Sequence, residues 1–216
     1  MATYESIIKI NGSVGDLVFY HLNGKNIVRK KSGFNKTAFK KDPAYEKVRQ
    51  NSSEFGHCSK TGKLIRQSVE NFIRYGEDPL LYQKFARLMT EIKDLDIISE
   101  RGKRTVKNGI DTEKGKSALQ NFQFGKIDNV SGQATVGLNL WDNSLFLREN
   151  ISADEVVIVT IKIDFDHYLT EFFEETIPLE KRQNELVFIK YFPDDETVLH
   201  FIALKKENEI IRMGFV

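Results

Sequence analysis

The sequence predicts an α+β protein with an N-terminal β-hairpin, a helical middle segment and a C-terminal β-sandwich. Three observations lead to this fold class. An Asn-Gly turn near the N-terminus joins two runs of β-forming residues, and apolar residues then recur at helical spacing. From about residue 124 they recur at every second position, as in strands. These changes of period divide the chain into a hairpin with a basic arm (1–41), a helical segment (42–123) and a β-domain (124–216).

The hairpin is predicted from Asn23-Gly24, between LVFYHL and KNIVRK. A type I′ turn needs positive φ at both central residues, and Asn-Gly provides this at the lowest steric cost. A two-residue loop sets the cross-strand pairs, which are Leu22 with Lys25, Tyr20 with Ile27 and Phe19 with Val28. Both faces then carry apolar side chains. Because a two-stranded ribbon is marginal alone in water, we expect the hairpin to pack against another surface.

The basic arm is the strongest charge signal in the chain. Residues 25–41 hold seven cations and no acid: Lys25, Arg29, Lys30, Lys31, Lys36, Lys40 and Lys41. Gly, Ser and Asn in KKSGFNKTAFKK predict a loop. The interleaved Phe34 and Phe39 suit base stacking, and the cations suit phosphates. An acidic protein surface would attract the same residues, so the sequence leaves open whether the arm binds protein or nucleic acid.

Two Asp-Pro dipeptides, at residues 42–43 and 78–79, predict helix starts, since Asp caps free N–H groups and Pro suits the first turn. After the second, Leu81, Phe85, Leu88, Met89 and Ile92 form one apolar stripe. The sequence does not decide whether one helix continues through Gly56 and Gly62 or two helices meet there. Residues 99–117 are polar and glycine-bearing, and they predict a long surface connection that has room for a short helix.

The C-terminal part shows about seven short strand patterns in roughly ninety residues, with turn residues between them. In the clearest of these, Val157, Val159, Ile161 and Ile163 share one face. This pattern, without an intervening helical period, is typical of an immunoglobulin-like sandwich. We therefore expect residues 126–216 to fold as an independent β-domain with little helix.

The order of these parts resembles an uncharacterised family of similar-length proteins from Bacteroidota. The resemblance is carried by the glycine-containing segment GSVGDLVFYHLNGKNIVRKK, the helix start in KKDPAYEKVRQNSSEF and the motif LNLWDNS in an early strand of the β-domain. It implies an N-terminal glycine-containing segment, a helical middle and a C-terminal immunoglobulin-like domain. The family has no assigned activity, so the resemblance implies a fold and no function.

Charge is divided between the two halves of the chain. Residues 1–125 hold 23 Lys and Arg against 14 Asp and Glu, whereas residues 126–216 hold 9 against 17. Such asymmetry is typical of proteins that bind nucleic acid or an acidic partner, and it also suits attraction between the halves or between copies. The N-terminus shows no secretory signal, no stretch is apolar enough to span a bilayer, and the single cysteine excludes an internal disulfide. We expect a cytoplasmic protein.

Few residues are candidates for chemistry. Asp164, Asp166 and His167 are the best metal-ligand candidates, with His200 and residues 193–196 as further members, but a solvated turn explains them better. His57-Cys58 places a base beside a thiol, although neighbours in sequence seldom face each other on a helix. Glu171, Glu174, Glu175 and Glu180 could pair as acid and base only if buried.

The sequence therefore predicts a non-catalytic structural or protein-interaction module without a cofactor, a membrane partner or a small-molecule substrate. Self-association and membership of a larger assembly both fit this prediction. The alternative is a nucleic-acid-binding protein that uses the basic arm at residues 25–41. A metal-dependent or carboxylate hydrolase is the third and weakest interpretation.

Overall fold

Helix and antiparallel sheet alternate in large blocks along the chain. The computed structural model describes residues 2–6, 8–31, 33, 36–131, 136–139, 143–147, 152–180, 185–193 and 197–216. Contacts group the chain into two units, Met1–Arg49 and Gln50–Val216. We refer to them as the N-terminal unit and the C-terminal unit.

The N-terminal unit contains a four-stranded antiparallel sheet. Its strands are β1 (Ala2–Thr3), β2 (Gly12–Val14), β3 (Leu17–Leu22) and β4 (Lys25–Lys30), in the spatial order β1-β4-β3-β2. The Asn23-Gly24 turn predicts the central pair, whereas the strand pattern of ESIIKI at residues 5–10 is not confirmed, since the described residues 5, 6 and 8–10 form no strand. The two outer strands are too short to give a periodic signal.

The β3–β4 hairpin has the predicted register. Leu22 pairs with Lys25, Tyr20 with Ile27 and Phe19 with Val28. Asn23 has φ 50° and Gly24 has φ 78°, so both central residues lie in the left-handed region that a type I′ turn requires. Local turn chemistry therefore sets the pairing of this hairpin.

The prediction of a loop after the hairpin is wrong for residues 36–41, which form helix α1 (Lys36–Lys41). The last carbonyl groups of a helix have no partner within it. Arg49 Nη1 supplies one by donating to the carbonyl oxygens of Phe39, at 2.6 Å, and of Asp42, at 3.0 Å. The helix thus depends on a residue outside the polar stretch from which the loop was predicted.

Five further helices follow. They are α2 (Glu46–Ser68), α3 (Glu70–Ile73), α4 (Leu81–Lys93), α5 (Val106–Ile110) and α6 (Glu113–Gln120). The predicted start at the first Asp-Pro is confirmed, since Asp42 caps the helical turn Pro43–Tyr45 and accepts a bond from Ala44 N–H at 2.9 Å. At the second, Asp78 accepts a bond from Leu80 N–H at 2.9 Å, but α4 begins at Leu81 and Leu80 is its N-cap, so the predicted position is two residues early. Within the described residues, no helix is both long and apolar enough to cross a bilayer.

Helix α2 passes through Gly56 and Gly62 without a break, so these glycines do not divide it into two helices. A Cβ atom at Gly62 would lie 2.9 Å from Met89 Cγ on α4. Glycine therefore allows α2 to approach this side chain closely. The predicted stripe of α4 is confirmed, since all five of its members are buried.

Residues 99–117 contain the short helix that the prediction allowed, α5, but the prediction of a long surface connection is wrong, because the segment also contains the first part of α6 and has buried residues. The hydroxyl groups of Thr105 and Thr112 cap these helices by accepting bonds from Asn108 N–H and Gly115 N–H. Val106 is fully buried. Two of the glycines that suggested a loop, Gly109 and Gly115, are instead sites of close backbone packing.

The C-terminal strands form two antiparallel sheets. The larger, in the order β11-β10-β7-β8, contains β7 (Glu155–Asp164), β8 (Leu169–Pro178), β10 (Val198–Lys206) and β11 (Glu209–Phe215). The smaller, in the order β5-β6-β9, contains β5 (Val136–Asn139), β6 (Ser144–Leu147) and β9 (Glu185–Val187). No helix occurs within the described residues beyond 126.

The larger sheet is the middle of three layers. Val157, Val159, Ile161 and Ile163 of β7 share one face, as predicted, and belong to a core with buried residues of α2, α4, α5 and α6. Val156 and Ile158, on the other face, belong to a second core with residues of β6 and β9. Helices therefore cover one face and the smaller sheet covers the other.

Candidate interaction surface

Four of the seven predicted binding cations lie on or beside the N-terminal sheet. Lys25, Arg29 and Lys30 belong to β4, and Lys31 follows it with its N–H bonded to the Asp16 carbonyl oxygen at 2.6 Å. The strand cations are therefore part of the hydrogen-bonded ladder and not of a free arm.

The three strand cations lie at the two ends of the β3–β4 hairpin, on either side of its apolar cross-strand pairs. Lys25 pairs with Leu22 at the turn, whereas Arg29 pairs with Val18 and Lys30 with Leu17 at the other end. Since side chains alternate across a strand, Arg29 shares the face of Tyr20 and Ile27, and Lys30 shares the face of Phe19 and Val28. Each sheet face thus combines an apolar centre with a positive margin.

The sheet has little core of its own. Ile27 is its one buried hydrophobic side chain among the described residues of strands β1 to β4. Val14 is 63% exposed, Leu17 42% and Leu22 49%. Apolar groups on both faces therefore remain in contact with water.

The other three predicted cations lie on helix α1. Lys36 and Lys40 are one helical turn apart, and Lys41 follows them. Phe39 of this helix contacts the Tyr45 ring edge-on, with centroids 5.9 Å apart, so it is half-buried and poorly placed for stacking on a base. Phe34 lies outside the described residues. The seven cations therefore form two groups, four on or beside the sheet and three on the helix.

All seven cations are exposed, and none forms a salt bridge with a residue that the structure describes. Elsewhere the chain pairs several of its cations, such as Lys84 with Asp78 and Lys126 with Glu77. The N-terminal unit thus offers unneutralised positive charge beside uncovered apolar surface.

The acidic residues 171–175 lie on β8 at the open edge of the larger sheet. Glu171 and Glu174 are exposed and point to opposite faces, as their separation of three on a strand requires. Glu175 accepts a bond from Ile189 N–H at 2.9 Å. Glu171 and Glu174 therefore lack the burial that the acid–base interpretation of this cluster requires.

Asp164, Asp166 and His167 form a self-contained turn. Asp164 Oδ1 accepts bonds from the N–H groups of Asp166 and His167, and Asp164 Oδ2 lies 2.8 Å from His167 Nδ1. The bond from His167 N–H is the largest cause that lowers the pKa of Asp164, and the bond to Asp164 raises the pKa of His167. Among the described residues, no three metal-binding side chains come together. Residues 194–196 lie outside the described part of the chain.

Cys58 is buried in the helical core. Burial raises the pKa of its thiol to about 11, and Sγ lies 3.5 Å from the Met89 carbonyl oxygen. His57 instead contacts Val106 N–H through Nε2 and Tyr168 Oη through Nδ1, both at 2.9 Å. The imidazole and the thiol therefore have different partners, and the thiol is protonated at neutral pH.

A buried ionic cluster is the main polar feature that the sequence does not predict. Glu54 accepts bonds from Arg104 Nε and Nη2, from Lys93 Nζ and from Gly102 N–H, at 2.6 to 2.9 Å. The bond from Arg104 is the largest cause that lowers the pKa of Glu54 to about 2. Because the partners are separated by 39 to 50 residues, no local motif announces the cluster.

A small cavity of about 130 Å³ lies beside β7, β10 and the segment that follows β9. Thr160, Phe188, Tyr191, Phe192 and His200 are among its lining residues. His200 is buried, which lowers its pKa to about 4, and its ring contacts Phe188 edge-on. Antiparallel pairing of β10 with β7 places His200 opposite Thr160. Asp164 lies further along β7, about 13 Å from Thr160 at the usual rise of a strand, so Asp164 and His200 do not form one site.

Comparison of the chain with protein-family models, with curated proteins and with solved structures finds no match. The resemblance to the Bacteroidota family stays a prediction.

Proposed function

We propose that this protein is a non-catalytic structural or interaction module that associates with protein, including other copies of itself, through its N-terminal unit. The observation that carries the proposal is the near-absence of buried apolar residues in the four-stranded sheet. Among the described strand residues of this unit, only Ile27 is a buried hydrophobic residue. A sheet gains most of its stability from covering at least one apolar face.

The proposed partner surface is apolar at its centre and acidic at its margin. Uncovered Val14, Leu17 and Leu22 supply the apolar contact, and covering them would remove unfavourable hydration. Arg29 and Lys30 at the margin would direct the encounter and set its orientation more than its strength. Salt screens such exposed charges, with a Debye length of about 10 Å at 0.1 M.

The experiment compares association of the parent with that of R29E/K30E/K31E by light scattering and sedimentation velocity. We expect the parent to associate in a concentration-dependent way that weakens as salt rises, and the triple variant to associate less while keeping the parent's circular dichroism. K63E/K107E/K114E is the matched control, because it reverses three exposed cations outside this unit. Equal association of all three proteins would contradict the proposal.

Nucleic-acid binding is the second candidate function. The observation that favours it is that none of the seven cations is neutralised by an acid within the described residues. Binding of DNA, RNA or heparin should then fall steeply with salt, because bound cations release counterions from the phosphate chain. Loss of this binding in R29E/K30E/K31E, with unchanged self-association, would support this candidate over the first.

We further propose that the C-terminal strands form an immunoglobulin-like sandwich. Numbered from β5, the first, second and fifth strands share one sheet, and the seventh, sixth, third and fourth share the other. All of these pairs are antiparallel, and seven strands in two facing sheets are typical of that class. Helices cover the outer face of the larger sheet, so the two sheets of this sandwich would be two of three packed layers.

A reducing compartment, the cytoplasm, suits this module. The single cysteine has no partner for an internal disulfide, and it is buried with a protonated thiol. Fractionation of the native cell with an antibody against the full chain tests this location.

A further inference from the structure

Among the described strands, β8 leaves a long sheet edge unpaired. Its ten residues pair with β7 from Leu169 to Pro178 without a register shift. It is the last strand of its sheet, and no other strand of the described chain pairs with it. An edge of this kind presents unpaired backbone N–H and C=O groups that can accept a further strand.

The side chains of β8 make this edge both apolar and acidic. Leu169 is 63% exposed, Phe172 48% and Phe173 44%. Phe173 is held in place by stacking on Tyr191, with ring centroids 4.4 Å apart and planes within 8°. Water-exposed phenyl rings on both faces of an edge strand provide contact surface for an incoming strand on either side.

The acidic residues determine which strand fits. Glu171 and Glu174 are exposed, and neither forms a salt bridge with a described residue. A second β8 strand would bring its own glutamates to this edge, and like charges across a strand pair are destabilising. A strand that combines apolar residues with Lys or Arg would be favoured instead.

Strand β4 has this composition. Its central Ile27 is buried and Val28 is apolar and half-buried, and the exposed Lys25, Arg29 and Lys30 lie on either side of them. Strand β1 covers the outer edge of β4 only at Ile27 and Val28, with one further bond from Tyr4 N–H to the Asn26 carbonyl oxygen. The outer edge at Arg29 and Lys30 therefore has no strand beside it within the described residues.

We propose that the β8 edge accepts the uncovered basic end of strand β4, Arg29 and Lys30, of a second copy of this chain. The inference rests on the proposed function and names its partner: the apolar and acidic surface that the N-terminal unit binds is β8 of a neighbouring molecule. The contact joins different surfaces of the two copies. Repetition therefore produces a ring if the rotation closes and a filament if it does not.

Charge exchange tests the contact. In E171K/E174K the β8 edge becomes basic and repels β4, and in R29E/K30E strand β4 becomes acidic and repels β8. We expect each variant alone to associate on the order of tenfold or more weakly than the parent, by sedimentation velocity. An equimolar mixture should regain association, because each altered surface then meets one of opposite charge. Circular dichroism of each variant checks that the fold is kept.

The matched control is E91K/E113K, which makes the same change in net charge as E171K/E174K on exposed positions of α4 and α6 and should associate as the parent does. If E171K/E174K also associates as the parent does while R29E/K30E does not, β8 is not the acceptor and the proposed function still stands. If both variants weaken association and the mixture does not restore it, the β8–β4 contact is wrong. A parent that stays monomeric at every concentration overturns the contact and self-association together.

Discussion

At the scale of single residues, a cluster of charged hydrogen bonds surrounds one buried carboxylate, Glu54. Glu54 is 3% exposed and receives four hydrogen bonds from two cations and one backbone amide. Removing a charge from water is costly, and Glu54 is tolerated because it is surrounded by donors. The cluster links the middle of α2 to the end of α4 and to the segment before α5. Its geometry indicates a structural function, since it is enclosed by its own partners.

Neutralising this carboxylate should destabilise the protein strongly. In Glu54→Gln, buried Lys93 keeps Asp94 at 2.6 Å but loses the buried one of its two carboxylate partners, and Arg104 loses the same charge. We therefore expect the free energy of unfolding to fall by about 3 kcal/mol, the lower end of the cost of breaking a buried ion pair. Urea denaturation measures the change. Glu91→Gln is the control, because Glu91 forms an exposed pair with Arg87 one turn away, and its loss should cost less than about 0.5 kcal/mol. Similar effects of the two substitutions would show that the buried cluster contributes little.

At the scale of elements, glycines determine how closely the helices approach each other. A Cβ atom on Gly109 of α5 would overlap the Ile92 carbonyl group of α4, and one on Gly115 of α6 would overlap the Gly109 carbonyl group. These positions require glycine because of contact with another backbone. Gly56, inside α2, has nothing within 4 Å of such an atom, so no tertiary contact with a described residue requires glycine there.

Two alanine substitutions should therefore have opposite effects. Gly109→Ala must open the contact between α4 and α5, and we expect it to reduce the free energy of unfolding by about 1–3 kcal/mol. Gly56→Ala should increase it by about 0.5–1 kcal/mol, because alanine favours a helix interior. Thermal and urea unfolding of both variants check this. Stabilisation by Gly109→Ala would show that the helices separate without cost.

At the scale of the whole molecule, stability should depend on pH through two histidines that fold in the neutral form. Burial lowers the pKa of His200 to about 4, and burial, with a smaller effect of Lys60, lowers that of His57. As the pH falls, the unfolded chain binds protons at these two histidines near pH 6.5, whereas the folded chain binds them only at lower pH. Their contribution is thus complete above pH 6.5 and is lost as pH falls. Glu54, whose pKa is lowered from 4.5 to about 2, adds a further loss only below pH 4.5.

We expect the free energy of unfolding to fall between pH 6.5 and 4, with about 3 kcal/mol due to His200 if its pKa shift is fully realised. His167 acts in the opposite direction, because its pKa is raised, but it is exposed and its effect is small. Urea denaturation at several pH values measures the profile. His200→Gln should flatten it over this range. A variant profile as steep as the parent's would mean that the pKa of His200 is the same in the folded and the unfolded chain.

The sequence alone determined the features that depend on neighbouring residues. Asn23-Gly24 specifies a turn that fixes the β3–β4 register, the stripe from Leu81 to Ile92 specifies the buried side of α4, and the alternation in β7 specifies which residues share a face. The run of seven cations in residues 25–41 is likewise a property of the sequence alone. In each case a period, a turn type or a run of charge acts over a few residues, so local pattern is sufficient.

Tertiary structure alone decided the features whose partners are far apart in the chain. Residues 99–117 resemble a loop because their glycines stand among polar residues, but Gly109 and Gly115 meet another backbone only after the helices pack. Helix α1 depends on Arg49, and the Glu54 cluster on residues 39 to 50 positions away. The open edge of β8 likewise depends on which strands the other segments pair with. Contacts between distant segments form through packing and charge in three dimensions, which override local preference, and no local spacing encodes them.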